Sequence, residues 1–600
     1  MSEQLIDFPA NDGQNRRWRF TRPVGTVEAR TLEDVVPALE EIERATQRGR
    51  YAVGYVAYEA GPAFDPAMRV LHASSLPLLR FELFDAVEVD VRASSAAQTG
   101  PTHEWRADTS AEEYGCAVQR IHDEIAAGRT YQVNYTIRLH SEWHDDTRLL
   151  YERIRRAQGG GYHAHLQFDD FEILCLSPEL FFKRHGDTIE TRPMKGTRRR
   201  GRWREEDDAL AQELLDSAKD RAENLMIVDL LRNDLGRIAE TGSVQVPTLF
   251  EVERYRTVHQ LTSTITARVP RSTELVDIFR ALFPCGSVTG APKISTMELI
   301  AELEHAPRAV YCGAVGVVEP GGDCTFAVPI RTLLLERESH RLTYGTGSGI
   351  TADSDVVAER DEVQAKAAVL ETFWPEFELF ETMRCENGTI VRLERHLERL
   401  FDSCAYFGFP CDASRVHAAL AEHTRVGQDA RVRLFVDAAG NARATSDPLP
   451  SPPATSAGGA ASDPATATAP RGNRATQEAP VLVALATTPV DRRDVFLFHK
   501  TTHRTLYEQH LAAHPDVFDV LLWNREGELT EFTRGNVVLE LDGNLLTPRR
   551  DSGLLAGVLR SELLDRGVIT EQALTLEDLQ RASRLWFINS LRGWIEVELM

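Results

Sequence analysis

The sequence predicts an α+β fold in each of two successive halves, and three observations carry that prediction. Short apolar runs bounded by Gly, Pro and polar turns recur along the whole chain, with helical three-to-four spacing between them. A helical pattern ends at Pro375 within FWPEF (373–377), and a strand pattern, FELFETMR, begins at once. The composition, 42% hydrophobic and 26% charged over 600 residues, is that of a globular chain long enough for several domains. The domains are therefore expected at 1–374 and 375–600.

In the first half, YAVGYVAYEA, EILCLS, ELFFKRH, AVYCGAVGVVEP, FAVPIRTLLLE and RLTYGTGSG read as strands. Between them EDDALAQELLDSAKDRAENLMIVDLLRNDLGRI reads as one long helix. In the second half strands are expected at 378–385, 430–437, 481–488, 518–524 and 536–541. Ser446–Pro480 holds seven Pro, nine Ala and no aromatic residue, so it predicts a disordered linker interrupting the second domain.

Charge and composition exclude several classes. A net charge of −23 argues against nucleic-acid binding, which needs a basic stripe. The chain contains no apolar run of 18 residues, and its start carries no apolar signal region. Eight cysteines without a C-x-x-C pair suggest neither a zinc site nor a disulfide framework, which fits a reducing cytosol.

Only six of the 68 basic residues are lysine, at 183, 195, 219, 293, 366 and 500. Arginine serves wherever a solvated charge suffices, so a lysine here hints at chemistry that needs a deprotonated amine. A hairpin turning at Gly186-Asp187 pairs Glu179 with Met194 and sets Lys195 beside Glu179. That pair suits a general acid with a nucleophile, although an edge-strand ion pair is the simpler account of the spacing alone. Glu359, Glu362 and Lys366 fall on one helical face. Glu362 with Lys366 alone is most often a surface i,i+4 pair, and Glu223 by itself reads as a solvated charge. Convergence of these carboxylates would instead suit Mg²⁺.

Seven motifs occur in one order: YQVNYTIRL (131–139), SPELFF (177–182), PMKGTRRRG (193–201), MIVDLLRNDLGR (226–237), PCGSVTGAPK (284–293), YCGAVGV (311–317), and YGTGSGIT with AERDEVQAKA (344–367). Together they resemble the chorismate-utilising enzymes, and the resemblance covers about 50–372. It implies a sandwich of two facing sheets with the active site in the cleft. Lys195 in Pro193-Met194-Lys195-Gly196-Thr197 resembles the aminodeoxychorismate synthase type, where anthranilate synthases carry Ala. The resemblance implies that Lys195 attacks C2 of chorismate, Glu179 assists loss of the C4 hydroxyl, and ammonia then displaces the lysine. It assigns Mg²⁺ to Glu223, Glu362 and Glu359, substrate binding to Arg331, Gly347, Ser348, Lys366 and Thr289, and places His259 near the ring. No glutamine-amidotransferase motif is present, so a separate glutaminase subunit is the expected source of ammonia.

Lys500, in FLFHKTTHRTLYE, reads alone as a surface charge, and Arg399 as a helix-face charge. With Arg504, Tyr507, FELFETMR, LERHLERLFDS, ELTEFTRGNVVLELDGNLLTP, GLLAGVLR and FINSLRG, however, it resembles the fold-type IV pyridoxal-phosphate enzymes over 378–600. By that resemblance Lys500 holds pyridoxal 5'-phosphate as a Schiff base, Glu531 pairs with its ring nitrogen, and Arg399 binds its phosphate. The amides of Val558 and Leu559 help at the phosphate, and Asn589 and Ser590 line the pocket. The motifs look most like the aminodeoxychorismate lyases, and relatives of this type commonly form homodimers. The sequence thus points to a two-step route from chorismate to 4-aminobenzoate. The alternatives are an anthranilate- or isochorismate-type synthase fused to a branched-chain or D-amino-acid transaminase, or an active synthase with a non-catalytic C-terminal dimerisation module.

Overall fold

The computed structural model describes residues 3–9, 15–71, 76–89, 104–424, 429–450 and 481–600. Most of the expected linker, 451–480, lies outside the described residues; its first three, Ser446–Pro448, complete the strand Ala442–Pro448. The chain divides into two compact units. One comprises Met1–Arg200 and Ala211–Trp374, and the other Gly201–Leu210 and Pro375–Met600. The excursion of Gly201–Leu210 into the second unit has no compositional signature.

Among its described residues the first unit holds two ten-stranded sheets. In one, the order runs through Gln132–Glu142, Arg341–Ile350, Thr332–Glu336, Phe171–Ser177 and Tyr162–Gln167. In the other, it runs Met194–Arg199, Val258–Arg268, Thr188–Arg192, Leu180–His185, Cys324–Ala327, Ala314–Val318 and Tyr51–Val56. Alternate residues of the two sheets face each other across one core: Ile6, Phe20, Ala164 and Ile173 from the first, and Val53, Tyr55, Val315 and Val317 from the second. Helices cover the outer faces. Val35, Leu39 and Ile42 of Leu32–Gln47 and Ile227, Leu231 and Leu235 of Ala218–Gly236 pack with Phe182, Phe279 and Phe326 beneath the second sheet. Full burial of one such aromatic or aliphatic side chain stabilises by roughly 1.5–3 kcal/mol.

Two expectations are corrected. The long helix is two, Arg204–Asp216 and Ala218–Gly236, because Ser217 leaves the helical conformation and its hydroxyl accepts from the Asp220 N–H at 3.3 Å. Apolar periodicity continues through such a cap and cannot reveal it. The hairpin turns at Gly186-Asp187 as expected, but the register slips between Leu180 and Lys183, and Leu180 pairs with Arg192. The ladder ends there. Met194–Arg199 is a separate strand that pairs with Val258–Arg268.

Among its described residues the second unit combines a four-stranded sheet, which includes Leu379–Glu386, Ala430–Val436 and Ala442–Pro448, with an eight-stranded one. In the eight-stranded sheet Val481–Leu485 lies parallel to both Asp519–Trp523 and the C-terminal strand Gly593–Leu599. Leu393–Phe407 packs Leu397, Leu400 and Cys404 onto the smaller sheet, and Val558–Asp565 packs Leu559 and Leu563 onto the larger.

Candidate active sites

Each unit encloses one large cavity, lined only by its own residues. That of the first, about 360 Å³, lies where Met194–Arg199, Arg341–Ile350 and the helix Val356–Ala367 come together. Its floor depends on glycine. Gly345, Gly347 and Gly349 alternate along their strand, so all three present the same face, and all three line the cavity. A Cβ at Gly345 would sit 2.4 Å from the Tyr311 ring, and one at Gly349 would sit 3.0 Å from Lys195 Nζ.

Lys195 enters this space from a strand distorted between Met194 and Thr197. Burial lowers its pKa below that of an ordinary amine, and the Lys366 charge lowers it further, against the pull of Glu223, Glu179 and Glu362. Glu179 is 2% exposed, and its Oε1 has no hydrogen-bond partner. Burial pushes its pKa up to about 7, with Ser287, Lys195, Lys366 and the Met194 amide acting in the opposite direction. A readily deprotonated amine and a readily protonated acid thus share one cavity, as nucleophile–acid chemistry requires.

Glu223, Glu359, Glu362, Arg331, Gly347 and Lys366 also line it. Lys366 Nζ donates to the Gly347 carbonyl at 2.9 Å and pairs with Glu362 at 2.7 Å. Burial raises Glu223, and neighbouring Asp220 and Glu359 add to that. Burial acts the same way on Glu362, but Lys366 holds it below the usual carboxylate range. Three carboxylates facing one cavity are the donor chemistry of a hard divalent cation. In this arrangement Ser354 donates to Glu359 at 2.6 Å, and no three acidic, His or Cys side chains among the described residues are grouped as ligands. His259, Ser348 and Thr289 are buried but do not line the cavity. On the strand Val258–Arg268 it is Gln260, one residue on, that faces the cavity, as two-residue alternation requires. Ser348 instead meets Tyr114 Oη at 3.1 Å, and Thr289 donates to the Cys285 carbonyl at 3.2 Å. Asn134, Ser287 and Tyr311 line the cavity without having been singled out, although each lies in a quoted motif.

The cavity of the second unit, about 380 Å³, is lined by Lys500, Glu531, Arg399, Val558, Asn589 and Ser590. The Lys500 carbonyl accepts from the Phe380 N–H at 3.0 Å, which ties it to the smaller sheet, and its amine lies 4.6 Å from the Phe380 ring centre. Burial, together with the charges of Arg399 and Arg504, brings this amine down to about 7. Glu531 is buried and raised to about 8, chiefly by loss of solvent. It accepts from Tyr507 Oη at 2.8 Å and from Asn536 Nδ2 at 3.3 Å. A buried acid with no ion pair among the described residues, though Arg504 and Lys500 are near enough to act on it, suits a protonated pyridine nitrogen, and the amine suits its aldehyde, so the residues fit pyridoxal 5'-phosphate.

Arg399 is less available than the sequence suggests. Its guanidinium grips Glu381 at 2.6 and 2.8 Å, and Arg399 and His396 hold that acid, buried as it is, down to about 2. Its third bond is to the Ala556 carbonyl at 3.1 Å, just before the helix Val558–Asp565. At that helix start Gly557 and Val558 line the cavity, while the Leu559 side chain lies in the core. His396 donates to or accepts from Ser590 Oγ at 3.1 Å, and Asn589 Oδ1 accepts from the Arg592 amide at 2.8 Å. Arg431 and Arg433 also line the cavity; both donate through Nη2 to Asp447 Oδ2, at 2.9 and 3.0 Å, while the Nε of each is buried without a partner. Their signal was present as R-x-R on a strand, which places both on one face.

The pattern described as chorismate binding enzyme matches residues 8–372, and that described as amino-transferase class IV matches 378–600. Over 273 residues the chain is 44% identical to aminodeoxychorismate synthase component 1 of Klebsiella aerogenes, covering 44% of this chain and 60% of that protein. It is 42% identical over 261 residues to the Escherichia coli K12 protein so named, covering 44% and 57%. Anthranilate synthase component 1 of Aquifex aeolicus is 37% identical over 266 residues, covering 44% and 53%. The chain therefore spans less than two thirds of the curated relatives it matches. The crystal structure of anthranilate synthase component I from Streptococcus pneumoniae TIGR4 superposes with a TM-score of 0.50 at 26% identity, covering 62% of this chain and 90% of that one. With its two-sheet fold, its lysine-bearing cavity and a match over more than half its length, the chain belongs to the chorismate binding enzyme family.

Proposed function

We propose that the chain converts chorismate to 4-aminobenzoate in two steps, one in each cavity. The observation that carries the first step is Lys195, with its lowered pKa, in one cavity with the protonatable Glu179. The neutral Lys195 amine adds to C2 of the ring while the double bonds shift and the C4–O bond breaks. Glu179 supplies the proton with which that oxygen leaves as water. Ammonia then adds at C4, the double bonds shift back, and the C2–N bond to Lys195 breaks, giving 4-amino-4-deoxychorismate. Arg331 and Lys366 would hold the substrate carboxylates. Glu223, Glu359 and Glu362 would hold Mg²⁺, which offsets carboxylate charge. Ammonia would come from a glutaminase partner, in keeping with the component-1 names of the relatives, in a cytosolic setting.

In the second step pyridoxal 5'-phosphate supplies an electron sink for the amine-bearing carbon. Lys500, neutral near pH 7, takes the proton from C4, and the ring becomes aromatic as pyruvate departs. Glu531 would face the cofactor's ring nitrogen, and the helix start at Gly557–Val558 with Arg399 would receive its phosphate. Arg431 and Arg433, two guanidinium groups sharing the single carboxylate of Asp447, leave this side of the cavity net cationic, which suits a substrate with two carboxylates better than a monocarboxylate. Incubating the protein with chorismate, Mg²⁺, ammonium and pyridoxal 5'-phosphate, and following products by mass spectrometry, tests the proposal. Formation of 4-aminobenzoate is expected; anthranilate would overturn it.

A further inference from the structure

The second unit contains ten residues, Gly201–Leu210, from far upstream of the rest of it. We propose that the strap Gly201–Asp207 completes the Lys500 site by fixing the histidine next to that lysine. Resting on the cofactor reading above, this assigns a positioning role to a segment the pyridoxal-phosphate fold would otherwise lack.

His499 lines the cavity, is 5% exposed, and is held at both ring nitrogens. Nε2 lies 3.1 Å from the Arg202 carbonyl, and Nδ1 lies 2.9 Å from Ser403 Oγ. A carbonyl oxygen only accepts, so Nε2 carries a proton; in the neutral ring Nδ1 then accepts from Ser403. The strap therefore selects the tautomer as well as the orientation. The Tyr406 ring packs 4.4 Å from His499, and its hydroxyl donates to the Gly201 carbonyl at 2.7 Å. One tyrosine thus supports the imidazole and anchors the strap.

The strap itself is tightly built. A Cβ at Gly201 would fall 2.1 Å from the Asp207 backbone nitrogen, so no side chain fits there. The Gly201 N–H donates to Asp207 Oδ1 at 2.8 Å, and the Arg202 N–H to Glu206 Oε2 at 2.7 Å. Trp203 stacks 5.2 Å from Phe498, with the Arg202 and Arg550 guanidinium groups at 4.7 and 4.8 Å from its ring. Arg202 Nη1 donates to the Asp551 carbonyl at 3.0 Å. The two residues immediately before Lys500 are thus gripped, one by Trp203 and one by the Arg202 carbonyl.

The test uses the full chain with Trp203→Ala, Trp203→Phe and Tyr406→Phe. Backbone amide exchange over 497–503 is read without added cofactor, and the dissociation constant of pyridoxal 5'-phosphate by titration. Trp203→Ala is expected to speed exchange by about tenfold or more and to weaken cofactor binding similarly, with Trp203→Phe restoring both. Tyr406→Phe, which removes one hydroxyl, is expected to speed exchange by about threefold or more, and it decides the matter if Trp203→Ala does not fold. Unchanged exchange in a folded Trp203→Ala protein, or in Tyr406→Phe, overturns the proposal. If the wild-type chain binds no pyridoxal 5'-phosphate, the cofactor reading fails, and the exchange measurement still decides the role of the strap.

Discussion

At the scale of single residues, the first site depends on two groups whose pKa values move toward each other. Glu179 must be protonated to give up a proton, and burial places its midpoint at about 7. Above that pH the protonated fraction falls tenfold per unit, so turnover of chorismate should decline along an alkaline limb. Glu179→Gln is expected to lower kcat by about 10²–10⁴-fold and to abolish that limb, as measured by product formation across pH 6–9. Stability should respond in the window below that limb. An acid raised from 4.5 to about 7 keeps its proton longer when folded, so the fold loses stability as pH rises between those values. Glu179→Gln removes that loss and should flatten the melting temperature across it. The second site gives the mirror case: Lys500 is lowered to about 7, and its reactive neutral form grows as pH rises. Lys500→Ala should abolish absorbance near 420 nm after reconstitution with pyridoxal 5'-phosphate, and halt the reaction at 4-amino-4-deoxychorismate. The scarcity of lysine made both residues legible before any fold was known. Their pKa shifts were not legible, because they come from burial and from Lys366 and Arg399, which are brought near by distant parts of the chain.

At the scale of elements, the strand Arg341–Ile350 separates folding from function. At Gly349 an added Cβ would meet the Gln132 side-chain nitrogen at 2.4 Å and Lys195 Nζ at 3.0 Å, the far ends of flexible side chains. At Gly347 it would meet the Tyr135 carbonyl at 2.3 Å, which is backbone of the paired strand and cannot yield. Gly349→Ala should therefore fold with a nearly normal melting temperature but lose about 10²-fold in kcat/KM, through displacement of the nucleophile. Gly347→Ala should lose stability by about 1–3 kcal/mol in urea unfolding. Most strand positions were readable from alternation and turn residues, but FAVPIRTLLLE, expected as one strand, belongs to two, Cys324–Ala327 and Thr332–Glu336, in different sheets. What eluded the sequence was register. The slip between Leu180 and Lys183 leaves Glu179 beside Met194 through a carboxylate–amide contact, and not through a ladder. The break at Ser217 was hidden for a related reason, since apolar spacing persists across a cap.

At the scale of the whole molecule, every residue lining the first cavity lies in the first unit, and every residue lining the second lies in the second. Neither site needs a side chain from the other to be complete. The strap Gly201–Leu210 could not be read from the sequence, being ordinary in composition. This independence makes a specific prediction. Lys195→Ala retains an intact second site, and Lys500→Ala an intact first one, so neither protein alone should form 4-aminobenzoate from chorismate. A mixture of the two should do so, because the product of one chain can diffuse to the other. The mixture should show a lag, and raising the Lys195→Ala protein tenfold at fixed Lys500→Ala should shorten it about tenfold, since capture is then first order in the second site. Continuous detection of 4-aminobenzoate measures both. Failure of the mixture, with each variant folded and its remaining half-reaction intact, would mean that the intermediate does not pass through solution between chains.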